Sequence, residues 1–265
     1  MEQIAIRDLK ICYESVGNGY PIVLIHGANA NMDWWDPELV DVLSQKYQVL
    51  KFDNRGAGRT ITPDEGAFTC EMFADDTIAL MDAKGIKRAN ILSKSMGGSI
   101  AQELVLKYPE RVNNLVLGCT FFGGQQMIKP SNEAMQMFID RSGGIEGLFD
   151  RLLKLMFTKD FVDASPDFVK NFKERYMCAP ISDANSMRQL MAMAKLDTYE
   201  RLPEIKNRTL VVTGTDDVMI PPQNSRILAE RIPCAKLIEY KGCGHFFMSQ
   251  ACDAFIKDLL EFIAL

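Results

Sequence analysis

Three widely separated segments of this chain carry side chains suited to nucleophilic chemistry on an acyl carbon. The first is the run Ala89 to Ala101, ANILSKSMGGSIA. It reads as a short apolar strand, then a tight small-residue turn over Ser93 to Gly98, then the start of an amphipathic helix that continues through Gln102, Leu104, Val105 and Leu106. A strand that reverses into a helix within a few residues forces the residue at the apex into a strained backbone conformation and needs small neighbours. Ser95 occupies that apex. The usual pattern is G-x-S-x-G; here it runs Ser93-Lys94-Ser95-Met96-Gly97, with a serine for the first glycine. At such an elbow the hydroxyl stands at the end of a sheet. The amide of Met96 lies at a helix N-terminus, where negative charge is favoured. The competing reading is an ordinary strand-to-helix turn that contains a serine.

The second segment follows the apolar run Thr209–Thr213 and reads Gly214-Thr215-Asp216-Asp217-Val218-Met219-Ile220-Pro221. An acidic residue here reaches the top of a sheet, or simply caps the helix predicted over 222–232. The third is Gly242-Cys243-Gly244-His245, where flanking glycines let the loop fold back so that the imidazole points at the sheet centre. His26 is the other of the two histidines in the chain.

The elements that must position these groups alternate regularly. Ile4 to Ser15 has the apolar-polar alternation of an antiparallel hairpin at a sheet edge. Ile22-Val23-Leu24-Ile25 is continuously apolar, as a strand buried on both faces of a parallel sheet must be. It ends in His26-Gly27-Ala28-Asn29. A helix over 35–46, a strand over 48–52, a helix over 73–83, the elbow and a strand over 112–117 follow. This is the strand-helix alternation of a parallel sheet covered on both faces. DNRGAGRT, residues 53–60, lacks the spacing of a phosphate loop and reads as a structural loop near the same face. From 121 to 201 the strand signal stops, and helices are expected over 132–140, 145–157, 166–177 and 183–195. Eight of the fifteen methionines and eight of the fifteen phenylalanines fall in this insert. Flexible, polarizable side chains of this kind fill gaps in a small packed subdomain, or form an adaptable apolar pocket over the end of the sheet. Strands resume at 209–213 and 235–240, and a terminal helix is expected over 249–264.

Composition narrows the field further. The 265 residues are 47% hydrophobic and 25% charged, an ordinary globular balance with ample material for a core. The net charge of −5 and the lack of a dense Lys/Arg stripe argue against nucleic acid as a partner. No long apolar segment suggests a membrane span, and the polar start MEQIAIRDLK does not resemble a signal peptide. The expectation is a cytoplasmic protein. Seven scattered cysteines without a C-x-x-C pair fit reduced thiols rather than disulfides or a zinc site.

With serine, acid and histidine in that order, each after a separate strand, the chain resembles the α/β-hydrolases, in particular the esterase, haloperoxidase and enol-lactonase branch. The resemblance spans nearly the whole length and rests on IVLIHGAN, KFDNRGAGRT, SKSMGGSIAQ, VVTGTDDVMIPP and KGCGHF. It implies a mostly parallel eight-stranded sheet with helices on both faces. The core would be residues 1–120 and 202–265, with a helical cap, residues 121–201, inserted after the sixth strand. It also selects Asp217 over Asp216 and gives a catalytic set of Ser95, Asp217 and His245, with the amides of Ala28 and Met96 as oxyanion hole. No metal or organic cofactor is implied.

Trp34, Trp35, Met127, Met219 and Phe246 are assigned to the substrate pocket; of the two tryptophans, one is expected to wall it and the other to pack in the core. Lys94 is expected to point away from Ser95 and to pair with a nearby carboxylate. The activity implied is hydrolysis of small-molecule carboxylic esters with small to medium apolar acyl groups, through an acyl-enzyme. A cofactor-free perhydrolase or haloperoxidase, a carbon–carbon bond hydrolase, an acyltransferase and a noncatalytic small-molecule receptor on the same scaffold are the alternatives. A homodimer is compatible with this reading.

Overall fold

The continuous apolar runs pair side by side. In the computed structural model, which describes residues 1–264, they form one eight-stranded sheet of order β1-β2-β4-β3-β5-β6-β7-β8. β1 (Glu2–Ile6) and β2 (Leu9–Val16) make the antiparallel hairpin anticipated at the edge, and β2 also pairs antiparallel with β4 (Tyr47–Phe52). All remaining pairs are parallel: β3 (Tyr20–Ile25) with β4 and with β5 (Ala89–Lys94), then β6 (Val112–Gly118), β7 (Arg208–Gly214) and β8 (Ala235–Tyr240). Parallel pairing brings the C-terminal ends of β3, β5, β6, β7 and β8 to one edge of the molecule. The three sequence segments singled out above all emerge there.

Both faces of the sheet are apolar, with the period of two that a strand imposes. Val23 and Ile25 pack on one face with α2 (Cys70–Ala83), α3 (Met96–Lys107) and α9 (Gln223–Arg231); Ile22 and Leu24 pack on the other with α1 (Pro37–Ser44) and α11 (Cys252–Ile263). Between β6 and β7 lie the helices of the insert: α4 (Asn132–Ile139), α5 (Gly144–Met156), α6 (Lys159–Ala164), α7 (Pro166–Cys178) and α8 (Asp183–Ala194). They share a third apolar cluster with Trp34, Phe121 and Phe246, built on Phe149, Phe157 and Phe172.

Three boundaries differ from expectation. α1 begins at Pro37 rather than at Trp35, because proline fits the first turn and the Asp36 side chain caps the Glu38 amide. The short helix α6 has no clear periodic signal in sequence. The terminal helix is broken into α10 (Phe247–Gln250) and α11 at Ala251, whose backbone leaves the helical region at φ −126°, ψ 43°. No helix among the described residues is long and apolar enough to cross a membrane.

The glycine-rich loop after β4 is structural, as its sequence suggested. The Asp53 carboxylate, fully buried, accepts the amides of Met32 and Arg59, at 2.7 Å each. Arg55, 3% exposed, donates through Nε and Nη2 to Asp76 of α2, at 2.7 and 2.9 Å, and through Nη1 and Nη2 to Asp8 in the β1–β2 turn, at 2.8 and 2.6 Å. Hydrogen bonding to this guanidinium holds the Asp8 carboxyl down at about 2. Removing one partner leaves the buried arginine incompletely compensated. Asp76→Ala is therefore expected to cost about 3–5 kcal/mol in urea unfolding. A loss no larger than that of an ordinary surface substitution, within ~0.5 kcal/mol, would show that this network does not hold the loop.

Candidate active site

Ser95 joins β5 to α3 with φ 55° and ψ −125°, a region that non-glycine residues rarely adopt. The strain is held by hydrogen bonds around it. Its amide donates to Gly118 O of β6 at 2.9 Å, and its carbonyl accepts from Thr120 Oγ1 at 2.6 Å and from the amide of Gly98 at 2.8 Å. Small neighbours are required by close approach. A Cβ on Gly97 would lie 2.1 Å from Ile25 O, and one on Gly27 would lie 2.9 Å from Ser95 Cβ. Met96, fully buried, is the first residue of α3, so its amide is among the helix N–H groups that have no intrahelical acceptor.

His245 and Asp217 meet at the ends of the last two strands. Nδ1 of His245 lies 2.7 Å from Oδ2 of Asp217, and both side chains are buried. Oδ1 of the same carboxylate accepts the amides of Met219 and Ile220 at 2.8 Å each. An ionised carboxylate so placed can only accept, which assigns the donor role in this contact to Nδ1. Asp216 is exposed, and among the described residues its side chain accepts only from Thr215 Oγ1, at 2.8 Å. The two loops are pinned together by the Asp216 amide on Cys243 O at 2.9 Å.

Ser95 and His245 line one cavity of about 800 Å³, together with Ala28, Trp34, Met127, Met219 and Phe246. Trp35 does not line it. This second tryptophan packs in the core under α1, where its ring lies 4.8 Å from that of His26. His26 is a scaffold residue. Its Nδ1 accepts the Gly27 amide at 2.8 Å, and burial holds the imidazole well below the ordinary histidine range and hence neutral. Cys119 brings its thiol within 4.8 Å of donor atoms of Asp217 and His245. Burial and the Asp217 charge push that thiol well up, so it stays protonated, and the imidazole and carboxylate are already engaged with each other.

These features decide the family. The sequence matches the alpha/beta hydrolase fold family over residues 20–251. The chain belongs to that family. It is 28% identical to a protein of Azorhizobium caulinodans provisionally named carbamate hydrolase RutD, over 96% of this chain and 95% of the relative. It is 26% identical to the 2-hydroxy-6-oxo-6-phenylhexa-2,4-dienoate hydrolase of Comamonas testosteroni, over 97% and 92%. Among solved structures, the enol-lactonase of Burkholderia xenovorans LB400 superposes with a TM-score of 0.86 at 27% identity, covering all of both chains.

Two residues of this alpha/beta hydrolase give results that sequence reasoning did not provide. Gln189 of α8, fully buried, accepts the Asn29 amide through Oε1 at 2.8 Å and donates through Nε2 to Arg55 O at 3.0 Å. It thereby ties the insert to the loop carrying Gly27 and Ala28. Nothing in sequence marks a lone glutamine in an amphipathic helix for that task. Lys94 departs from the expected pairing with a carboxylate. Its side chain is 2% exposed, Nζ has no hydrogen-bond partner among the described residues, and the amine stands 2.7 Å from the centroid of the Phe246 ring. It is the last residue of a strand whose side chains are all buried, and it borders the cavity beside Ser95.

Burial lowers the Lys94 amine well below the ordinary lysine range, despite the opposing charge of Asp217. A base whose folded value is depressed binds its proton only in the unfolded chain, so wild-type stability falls as pH drops below about 10. Lys94→Met keeps the volume and removes that titration. The variant is expected to be more stable at pH 7, by on the order of 1–3 kcal/mol. Urea titrations at several pH values should show its advantage widening from pH 10 toward pH 7. An advantage that narrows on acidification would contradict a neutral buried amine.

Proposed function

We propose that this alpha/beta hydrolase is a serine hydrolase that cleaves carboxylic esters of small-molecule apolar acids through an acyl-enzyme. The observation that carries the reading is the shared cavity. A strained, cavity-lining Ser95 and an imidazole oriented by a buried, amide-anchored Asp217 border the same space. In this reading Nε2 of His245 takes the Ser95 proton as Oγ attacks the acyl carbon. Asp217 fixes the tautomer and stabilises the imidazolium, and His245 then protonates the leaving alkoxide. The amides of Met96 and Ala28 receive the oxyanion, each such donor being worth about 3 kcal/mol of barrier in comparable sites. Water, activated by the same imidazole, attacks the acyl-enzyme and releases the acid.

The neighbouring loops support these assignments. The Asn29 amide is occupied by Gln189, which fixes the loop and leaves Ala28, on the cavity wall, as the next amide along it. The helical insert, residues 121–201, acts as a cap. Phe246 donates its amide to Met156 O of α5 at 2.8 Å, so the cap also grips the loop that carries His245. Similarity to an enol-lactonase supports ester chemistry, since an enol lactone is an internal ester.

With p-nitrophenyl butyrate, Ser95→Ala and His245→Ala are each expected to lower kcat at least ~10⁴-fold, and Asp217→Asn to do the same through the wrong tautomer. Unfolding curves should stay at wild-type position for Ser95→Ala. A fluorophosphonate probe should label the wild type at residue 95 and leave Ser95→Ala unlabelled. Full turnover by folded Ser95→Ala would falsify the mechanism.

A further inference from the structure

The cavity over Ser95, about 800 Å³, lies near the top of the ~300–1,000 Å³ range that encloses a drug-sized ligand. An acetyl or butyryl group would fill a small part of it. The remaining apolar lining would then lack contact partners, which forfeits dispersion energy. Ser95, His245 and His26 mark one end, and Lys94, Gln125, Lys129, Lys195 and Asp197 also line the cavity. Met127, Met156, Met193 and Met219 form much of the remaining wall, flexible side chains that adapt to a chain of variable shape.

Part of the cavity's exposed rim is apolar. Met135 and Ile139 stand one turn apart on α4, and Met187 and Met191 one turn apart on α8. All four line the cavity, yet they are 39%, 40%, 55% and 52% exposed. Four large apolar side chains left in water around one opening mark a ligand entrance rather than scattered surface hydrophobics.

We infer that the site takes esters with an extended aliphatic acyl chain of about eight to twelve carbons, whose carbonyl lies at Ser95 and whose tail leaves between α4 and α8. This rests on the serine-hydrolase reading and extends its acyl range from small and medium to long. The methionine-rich wall and the apolar side chains of α4 and α8 would receive the aliphatic tail of such an ester.

The test is kcat/KM for p-nitrophenyl esters from acetate to dodecanoate, kept below their micelle concentrations. Burial of each methylene allows up to about fourfold, the equivalent of ~0.8 kcal/mol. Octanoate is expected to exceed acetate by at least ~100-fold. Replacing the lips with Met187→Glu and Met191→Glu together, at exposed positions that fold readily accepts, should lower the dodecanoate-to-acetate ratio at least ~10-fold. A profile that is flat or falls beyond acetate, or a ratio unchanged in the lip variant, overturns the inference and leaves ester hydrolysis standing. Should the wild type turn over no ester of any length, the serine-hydrolase reading fails instead. Calorimetry on Ser95→Ala then decides the tail site by itself: dodecanoate binding at least ~10-fold tighter than butyrate upholds it, and equal binding removes it.

Discussion

The structure turns on one strained residue. A serine held at positive φ costs on the order of 1–3 kcal/mol, and persists only because the surroundings leave no alternative. β5 is paired on both sides, with β3 and β6, so the strand cannot shift. α3 starts one residue later, against β3, at a distance that only Gly97 permits. The carbonyl and amide of Ser95 are both fixed by neighbours. Strain at this point lifts the hydroxyl out of the sheet and into the cavity, and the buried two-faced core compensates it.

The remaining loops at this edge gain their rigidity from each other rather than from the sheet. Asp53 anchors the loop after β4 to the Met32–Trp34 turn, Gln189 anchors the His26–Asn29 loop to α8, and Gln250 accepts the Gly244 amide at 2.8 Å while donating to Thr158 of the insert at 2.7 Å. The helical insert therefore does two jobs with different faces. Its buried polar groups hold backbone in place, and its methionines shape the space in front of Ser95.

The same apolar surroundings account for Lys94. A cationic side chain next to the nucleophile would be unfavourable among Phe246, His26 and Cys119 without a counter-ion in contact, and burial resolves this by keeping the amine neutral. The side chain then behaves as a long apolar stem with a weak donor at its tip, packed on an aromatic ring.

The sequence by itself determined the parallel sheet, the elbow at Ser95, the order serine, acid, histidine and the place of the helical insert. Each of these is written in local pattern: continuous apolar runs of strand length, small residues flanking a serine, loops of glycine and aspartate after strands. Only the tertiary structure decided which partner each side chain met. It seated His245 on the Asp217 carboxylate, placed Trp35 in the core and Trp34 on the cavity, left Lys94 without the expected carboxylate, and gave Gln189 a role in the loop beside Ala28. Strand period and turn chemistry act over a few residues and are legible in one dimension. Contacts across 28 residues, as for His245 and Asp217, or 160, as for Gln189 and Asn29, depend on how the sheet edge folds over itself.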